Sequence, residues 1–229
     1  MNTNTRSTTR RTSATLVTAV GGANLSSIEA GIMDWCNEAH EARAAGDTKT
    51  LDICRRELLT LLERYDATDG QGHPNPAWAR ANQRALAMSA LGEVEQAIRL
   101  ERAALRYADT PLRREISLGN LADRCVRIGR AHEAVEMFLA AWEETDGSVA
   151  LLLTGAQALH AAGLFEDADR LVAAAVEIEP EPTESNELGA YLRYEDRLRE
   201  MAPDLRTLRA LFERWDAAGD RAATKGGAS

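Results

Sequence analysis

The stretch Val149–Pro182, VALLLTGAQALHAAGLFEDADRLVAAAVEIEPEP, decides the fold. Its first half is rich in leucine and alanine up to Gly163, and its second half carries Ala168 and Ala175 before Pro180. Glycine readily adopts the left-handed conformation that ends a helix, and alanines at this spacing lie on the same helical face. The stretch therefore predicts two antiparallel helices that turn at Gly163 and pack closely through alanine.

The same pattern occurs twice more upstream. The glycines at 92, 129 and 163 are 37 and 34 residues apart, and an alanine follows each of them five and twelve residues later. These six alanines are Ala97, Ala104, Ala134, Ala141, Ala168 and Ala175. A period of about 34 residues indicates an array of helical hairpins that stack side by side.

These units resemble the tetratricopeptide repeat, with Leu152, Ala156 and Leu159 filling the large, small and large positions of the first helix in the last unit. The resemblance implies an all-α fold, a right-handed α-α superhelix of about five hairpins within residues 25–219. The expected hairpins span about 26–66, 76–108, 111–146, 148–180 and 183–218. The earliest is expected to turn at Gly46-Asp47, and the last is expected to be a cap of two helices, 183–201 and 204–217.

Short polar segments mark the ends of the helices and of the domain. Asn75-Pro76 and Thr110-Pro111 each pair a good capping residue with a proline suited to the first helical turn, and Thr183 is a further candidate cap. Residues 1–24 contain three arginines and no acidic residue, and are predicted to be a disordered basic arm. A transit peptide has a similar composition and remains the alternative. Residues 220–229 are predicted to be a flexible tail.

The net charge of −9 disfavours nucleic acid as a partner, because an acidic body repels phosphate groups. Three irregularly spaced cysteines predict reduced thiols and a cytoplasmic location. The sequence contains no apolar run of the length that a membrane helix needs, so no membrane partner is expected.

No motif of a nucleophile, a phosphate-binding loop or a catalytic metal is present, so we expect neither an enzyme nor a cofactor. The acidic residues alternate with arginines along the helices, which predicts solvated faces. Cys36 and His40 lie one helical turn apart, and Cys54 and His73 could complete a metal site. Buried cysteines beside a surface histidine are the more common arrangement, so no metal is predicted.

In the family that these repeats resemble, the first helix of each hairpin lines the concave surface where partners bind. The corresponding positions in this sequence are Asn37, His40, Arg43, Asn82, Gln83, Ser89, Asn120, Asp123, Arg127, Thr154, Gln157 and His160. Amides and hydroxyls can bond to the main chain of an extended peptide. We therefore expect a non-catalytic scaffold or adaptor that binds another protein or a peptide.

Two other functions remain open. The chain could be a structural or assembly subunit, in which the basic arm docks on the acidic body of another copy and forms a homo-oligomer. It could also be a regulatory protein of the tetratricopeptide type. The four tryptophans, spread along the chain, are expected to pack between hairpins.

Overall fold

The computed structural model describes residues 27–67, 72–145, 147–183 and 185–226, and within these ranges every extended regular element is an α-helix. The predicted arm at 1–24 lies outside the described residues. The helices are α1 (Ser27–Ala44), α2 (Thr48–Ala67), α3 (Pro76–Ala90), α4 (Val94–Tyr107), α5 (Pro111–Arg127), α6 (Ala131–Trp142), α7 (Val149–Ala161), α8 (Phe165–Ile178), α9 (Glu187–Tyr194), α10 (Asp196–Met201) and α11 (Arg206–Gly226). The prediction of an all-α fold is therefore confirmed for the described residues.

The first eight helices pack as four consecutive hairpins, and each hairpin also contacts its neighbours in the chain. The turns within the hairpins contain Gly46, Gly92, Gly129 and Gly163, all with φ between 67° and 84°. In each turn, the residue after the glycine donates its amide to the carbonyl five residues earlier, over 2.8–2.9 Å. This bond defines the Schellman motif, so one local geometry repeats four times along the array.

Small residues let the helices of the array approach each other closely. All six alanines of the repeat pattern are completely buried. Gly155 in α7 faces the ring of Phe138 in α6 so closely that an added Cβ would lie 2.3 Å from the ring atom Cε2. Larger side chains at these positions would separate the helices.

The predicted caps form at the start of two hairpins. The side chain of Asn75 accepts from the amide of Trp78 at 3.0 Å, and Thr110 accepts from the amide of Arg113 at 3.2 Å. Pro76 and Pro111 follow them at the first helical position, where a missing N–H costs nothing. These two caps therefore begin α3 and α5 as the sequence indicates.

The C-terminal part differs from the predicted pair of helices, because it forms three. The first begins at Glu187, and Asn186, three residues after the expected cap Thr183, caps it by accepting from the amide of Gly189. The carbonyl oxygen of Thr183 lies 1.8 Å from where a Cβ of Gly189 would be. The segment before α9 therefore folds back over the first turn of that helix, at Gly189.

Two further differences concern the helices of this C-terminal unit, residues 183–226. The predicted first helix is divided in two, and the last helix is longer than predicted. The chain leaves the helical conformation at Glu195, which divides the predicted first helix into α9 and α10. The last helix continues to Gly226, so residues 220–226 are helical where a tail was predicted. Residues 227–229 lie outside the described part of the chain.

The buried side chains form several clusters along the array. One joins α1 to α4, two smaller ones join α4 to α7, and one joins α7 and α8 to the C-terminal helices. This division is typical of a stack in which each unit packs on its neighbours. None of the described helices is both long and apolar enough to cross a membrane.

Candidate functional site

A cleft of about 650 Å³ lies along the inner side of the array. Its walls come mainly from α1, α3, α5 and α7, the first helix of each hairpin, and from α9 and α10 at the C-terminal end. The helices α2, α6 and α8 contribute no residue to it. The short turns place every first helix on the same side of the stack, so one continuous surface is formed from residues far apart in the sequence.

The cleft brings together nine of the twelve residues that the sequence analysis assigned to a concave surface. These nine are Asn37, His40, Arg43, Ser89, Asn120, Asp123, Arg127, Thr154 and Gln157. Apolar side chains lie between them, including Met33, Leu112 and Ile116. The cleft therefore offers both hydrogen-bonding groups and apolar contacts to an occupant.

The structure places the other three predicted residues elsewhere. Asn82 is buried, and its amide donates to Glu101 Oε1 at 3.1 Å. Gln83 is also buried and does not line the cleft. His160 lies at the edge of a smaller cavity, where Nε2 is 2.9 Å from an oxygen of Asp204. Helical spacing alone did not distinguish these positions from those that face the cleft.

Behind the cleft wall, α4 and α5 are joined by a buried ion pair. The guanidinium of Arg124 donates to Glu101 Oε2 at 2.7 Å, and both side chains are almost completely buried. The amides of Asn82 and Asn120 donate to the same carboxylate. Burial raises the pKa of Glu101, while the charge of Arg124 acts in the opposite direction. The extra hydrogen bonds compensate part of the cost of removing two charges from water.

This pair was not predicted from the sequence, because the acidic residues were expected to lie on solvated faces. The sequence nevertheless contained an indication that Glu101 is buried. Glu101 lies four residues after Ala97, the place that Phe138 and Val172 occupy in the next two hairpins. A charged residue at a position that is apolar in the other repeats indicates a buried partner of opposite charge.

A second set of charges closes one end of the cleft. The carboxylate of Asp123 in α5 accepts from Arg197 in α10 and from Nε of Arg127 at 2.8 Å. Glu195, at the break between α9 and α10, accepts from Nε of Arg197 at 3.0 Å and lies 3.6 Å from Arg127. These contacts join the C-terminal unit to the third hairpin across the cleft.

The electrostatics of this cluster follow from its composition. Burial alone would raise the pKa of Asp123, but the guanidiniums of Arg127 and Arg197 outweigh it and hold that pKa well below its usual range. The same attraction raises the pKa of both arginines. Asp123, Arg127 and Arg197 are therefore ionised at neutral pH. With Glu195, the cluster contains two acidic and two basic side chains.

His40 and Arg43 occupy the α1 wall of the cleft. Burial, together with the positive charges of Arg127 and Arg43, lowers the pKa of His40 to about 4, so the imidazole is neutral at neutral pH. The guanidinium of Arg43 lies 3.3 Å from the carbonyl oxygen of Ser89 and 3.4 Å from that of Ala90. It therefore caps the C-terminal end of α3, where a positive charge is favourable.

The cysteines are buried thiols. Burial raises the pKa of Cys36, which lines the cleft, to about 12, and that of Cys125 to about 11. Both are protonated at neutral pH, which makes them poor nucleophiles. Among the residues that the structure describes, no group of three or more His, Cys, Asp or Glu side chains could hold a metal ion.

No known family model matches the chain, and no curated protein matches it.

Proposed function

We propose that this protein is a non-catalytic scaffold or adaptor of the tetratricopeptide type, a right-handed α-α superhelix that binds a peptide or a segment of a partner protein in the cleft. One observation carries the proposal. The first helices of four successive hairpins together line a single cavity of about 650 Å³, which is within the size range of ligand sites in proteins.

The repeated geometry of the hairpins supports the tetratricopeptide part of the proposal. Four turns contain a glycine with positive φ and the same amide-to-carbonyl bond, and the two alanines of each of three hairpins are fully buried. Hairpins that turn and pack in the same way stack with a constant offset, and stacking of this kind produces curved binding surfaces.

The chemistry of the walls supports a peptide as the occupant. Asn37, Asn120 and Thr154 supply amide and hydroxyl groups, which can bond to a main chain. Leu112, 41% exposed at the start of α5, supplies an apolar surface for a side chain. Asn82, Gln83 and His160 are not part of the proposed binding surface, because they do not line the cleft.

The test uses the complete chain and two matched leucine substitutions. Leu112→Glu places a charge in the cleft, and Leu139→Glu places one at a similarly exposed leucine of α6, which is 53% exposed and outside the cleft. Peptides are selected from a displayed random library on the unmodified protein. Their affinities for the three proteins are then measured by fluorescence anisotropy.

We expect the affinity of the selected peptides for Leu112→Glu to fall at least about tenfold. This corresponds to a loss of about 1.4 kcal/mol in binding free energy. Their affinity for Leu139→Glu should stay within about twofold. Equal affinities for all three proteins, or greater loss in Leu139→Glu, would rule out the cleft as the binding surface.

An assembly subunit is the second candidate, and a different observation favours it. Leu139 and Trp142 of α6 lie three residues apart outside the cleft and are 53% and 41% exposed. Exposed apolar residues close together are typical of protein interfaces. Light scattering of the full chain, of Trp142→Ser and of a variant lacking residues 1–24 tests this. A monomeric mass for the full chain would exclude self-assembly.

A further inference from the structure

Three buried polar atoms of the cleft walls make no hydrogen bond to any residue that the structure describes. They are Nε of Arg124, Nη1 of Arg197 and Oε1 of Gln157. Gln157 is 4% exposed and Arg124 is 2% exposed. Among the described residues, one further buried atom without a partner is Oε1 of Gln83, which lies outside the cleft. A buried polar group without a partner is costly, so each of the three favours an occupant that can satisfy it.

The three atoms have complementary roles. The two arginine nitrogens can only donate, and the glutamine oxygen can only accept. Gln157 and Arg197 also border a second, smaller cavity of about 130 Å³, so a donor and an acceptor meet at the same end of the cleft. An occupant that satisfies both must therefore present an acceptor and a donor close together.

The charges of the cleft decide between a charged and a neutral occupant. Arg124 is paired with Glu101, and Arg197 is paired with Asp123 and Glu195. The charged residues of the lining are Arg43, Arg124, Arg127, Arg197, Glu41, Glu115, Asp123, Glu195 and Asp196. Carboxylates outnumber guanidiniums in this set, and His40 is neutral. At Arg124 and Arg197 a carboxylate or phosphate ligand would meet guanidiniums whose charges are already compensated, so an uncharged group fits better there. Arg43, on the α1 wall, contacts the carbonyl oxygens of Ser89 and Ala90 instead of a carboxylate.

We propose that the cleft recognises an uncharged amide group of its occupant, an inference that rests on the proposed function. The amide carbonyl accepts from Nε of Arg124 or Nη1 of Arg197, and the amide N–H donates to Oε1 of Gln157. The main chain of an extended peptide supplies this pair of groups at every residue, and the apolar walls at Met33, Leu112 and Ile116 take the flanking side chains.

The test compares two small probes that differ in charge. N-acetylleucinamide carries uncharged amides, and N-acetylleucine carries a carboxylate in place of the terminal amide. Each is titrated into the complete chain labelled with ¹⁵N, and the Nε–H signals of the arginines are followed by NMR. Arg197→Lys identifies its own signal, keeps the positive charge and removes Nη1.

Gln157→Leu and Gln83→Leu are the matched pair of variants. Both replace a buried glutamine whose oxygen has no partner, but only Gln157 lines the cleft. We expect the amide probe to bind about threefold to tenfold more weakly to Gln157→Leu and to Arg197→Lys, the effect of losing one hydrogen bond. Binding to Gln83→Leu should be unchanged, and the carboxylate probe should bind more weakly to the unmodified protein.

Three results would overturn the inference. They are tighter binding of N-acetylleucine than of the amide, an equal effect of the two glutamine substitutions, and the absence of any change at the arginine signals, which indicates that only water occupies these groups. The scaffold function can be tested separately from the recognition of an amide. In one outcome, displayed peptides bind more weakly to Leu112→Glu but equally well to Gln157→Leu and Arg197→Lys. That result would support the scaffold function and exclude recognition of an amide by these side chains.

Discussion

Glu101 carries a charge into the core between α4 and α5, at a place where the following hairpins have Phe138 and Val172. Its carboxylate is held by Arg124 and by two asparagine amides. A buried pair of this kind adds little stability compared with apolar side chains of similar size, but removing one partner leaves the other charge without compensation. The pair therefore makes the contact between the second and third hairpins sensitive to single substitutions.

Glu101→Gln should lower the free energy of unfolding by about 3–5 kcal/mol, because the guanidinium of Arg124 is left buried without an opposite charge. Urea denaturation followed by circular dichroism at neutral pH measures the loss. The control is the double variant Glu101→Leu with Arg124→Leu, which should cost much less than the sum of the losses in the single variants Glu101→Leu and Arg124→Leu. A loss in the double variant equal to that sum would contradict the assignment.

His40 gives the stability of the protein a specific dependence on pH. Its pKa is about 4 in the native protein, against about 6.5 in an unfolded chain. Below about pH 6.5 the unfolded chain binds a proton here that the native chain does not bind until about pH 4. The contribution of His40 to stability is thus present above about pH 6.5 and is lost as the pH falls through this window.

The free energy of unfolding of the unmodified protein should therefore decrease more steeply between about pH 6.5 and pH 4 than that of His40→Gln. Urea denaturation of both proteins across this range measures the difference, and the carboxylates common to both cancel. Identical slopes would show that the environment of His40 does not disfavour its charged form.

At the scale of elements, the contact between α6 and α7 depends on Gly155. Gly155→Ala places a methyl group inside contact distance of the Phe138 ring and should lower the free energy of unfolding by about 1–3 kcal/mol. Gly119→Ala is the matched control in α5, since its added Cβ would lie 3.8 Å from Leu151. Alanine there should stabilise the protein by about 0.4–1 kcal/mol. Thermal or urea unfolding compares the two, and a similar loss in both would contradict the packing argument.

At the scale of the whole molecule, charges join units that are not adjacent in the chain. Asp123 and Arg127 of the third hairpin bind Glu195 and Arg197 of the C-terminal unit across the end of the cleft. In a stack of hairpins each unit contacts mainly its neighbours, so the arrangement of units distant along the chain can change at a small cost. Ion pairs between non-adjacent units resist such a change.

Arg197→Gln should therefore open the array and increase its maximum dimension and radius of gyration. The loss of charged hydrogen bonds should also reduce the free energy of unfolding by about 1.5–3 kcal/mol. Small-angle X-ray scattering measures the change in shape. Arg170→Gln is the control, because Arg170 is 72% exposed and pairs only locally with Glu166 and Asp167 among the described residues. An unchanged scattering curve for Arg197→Gln would show that packing alone fixes the arrangement of the units.

The sequence by itself determined the hairpins of the array. Gly92, Gly129 and Gly163 end helices because the left-handed turn is open to glycine, and alanines at a fixed distance after them mark the buried faces. These are local rules that act over a few residues. The resemblance to the tetratricopeptide repeat assigned twelve positions to an inner surface, and nine of these line the cleft.

Only the tertiary structure decided the features that depend on residues far apart in the chain. The pairing of Glu101 with Arg124, the closure of the cleft by Glu195 and Arg197, and the burial of Asn82 each depend on a neighbouring helix. Periodicity reports which face of a helix a residue occupies, but not which side chain lies opposite. That second fact depends on how the hairpins stack, because a charge is tolerated inside the protein only where the fold supplies its partner.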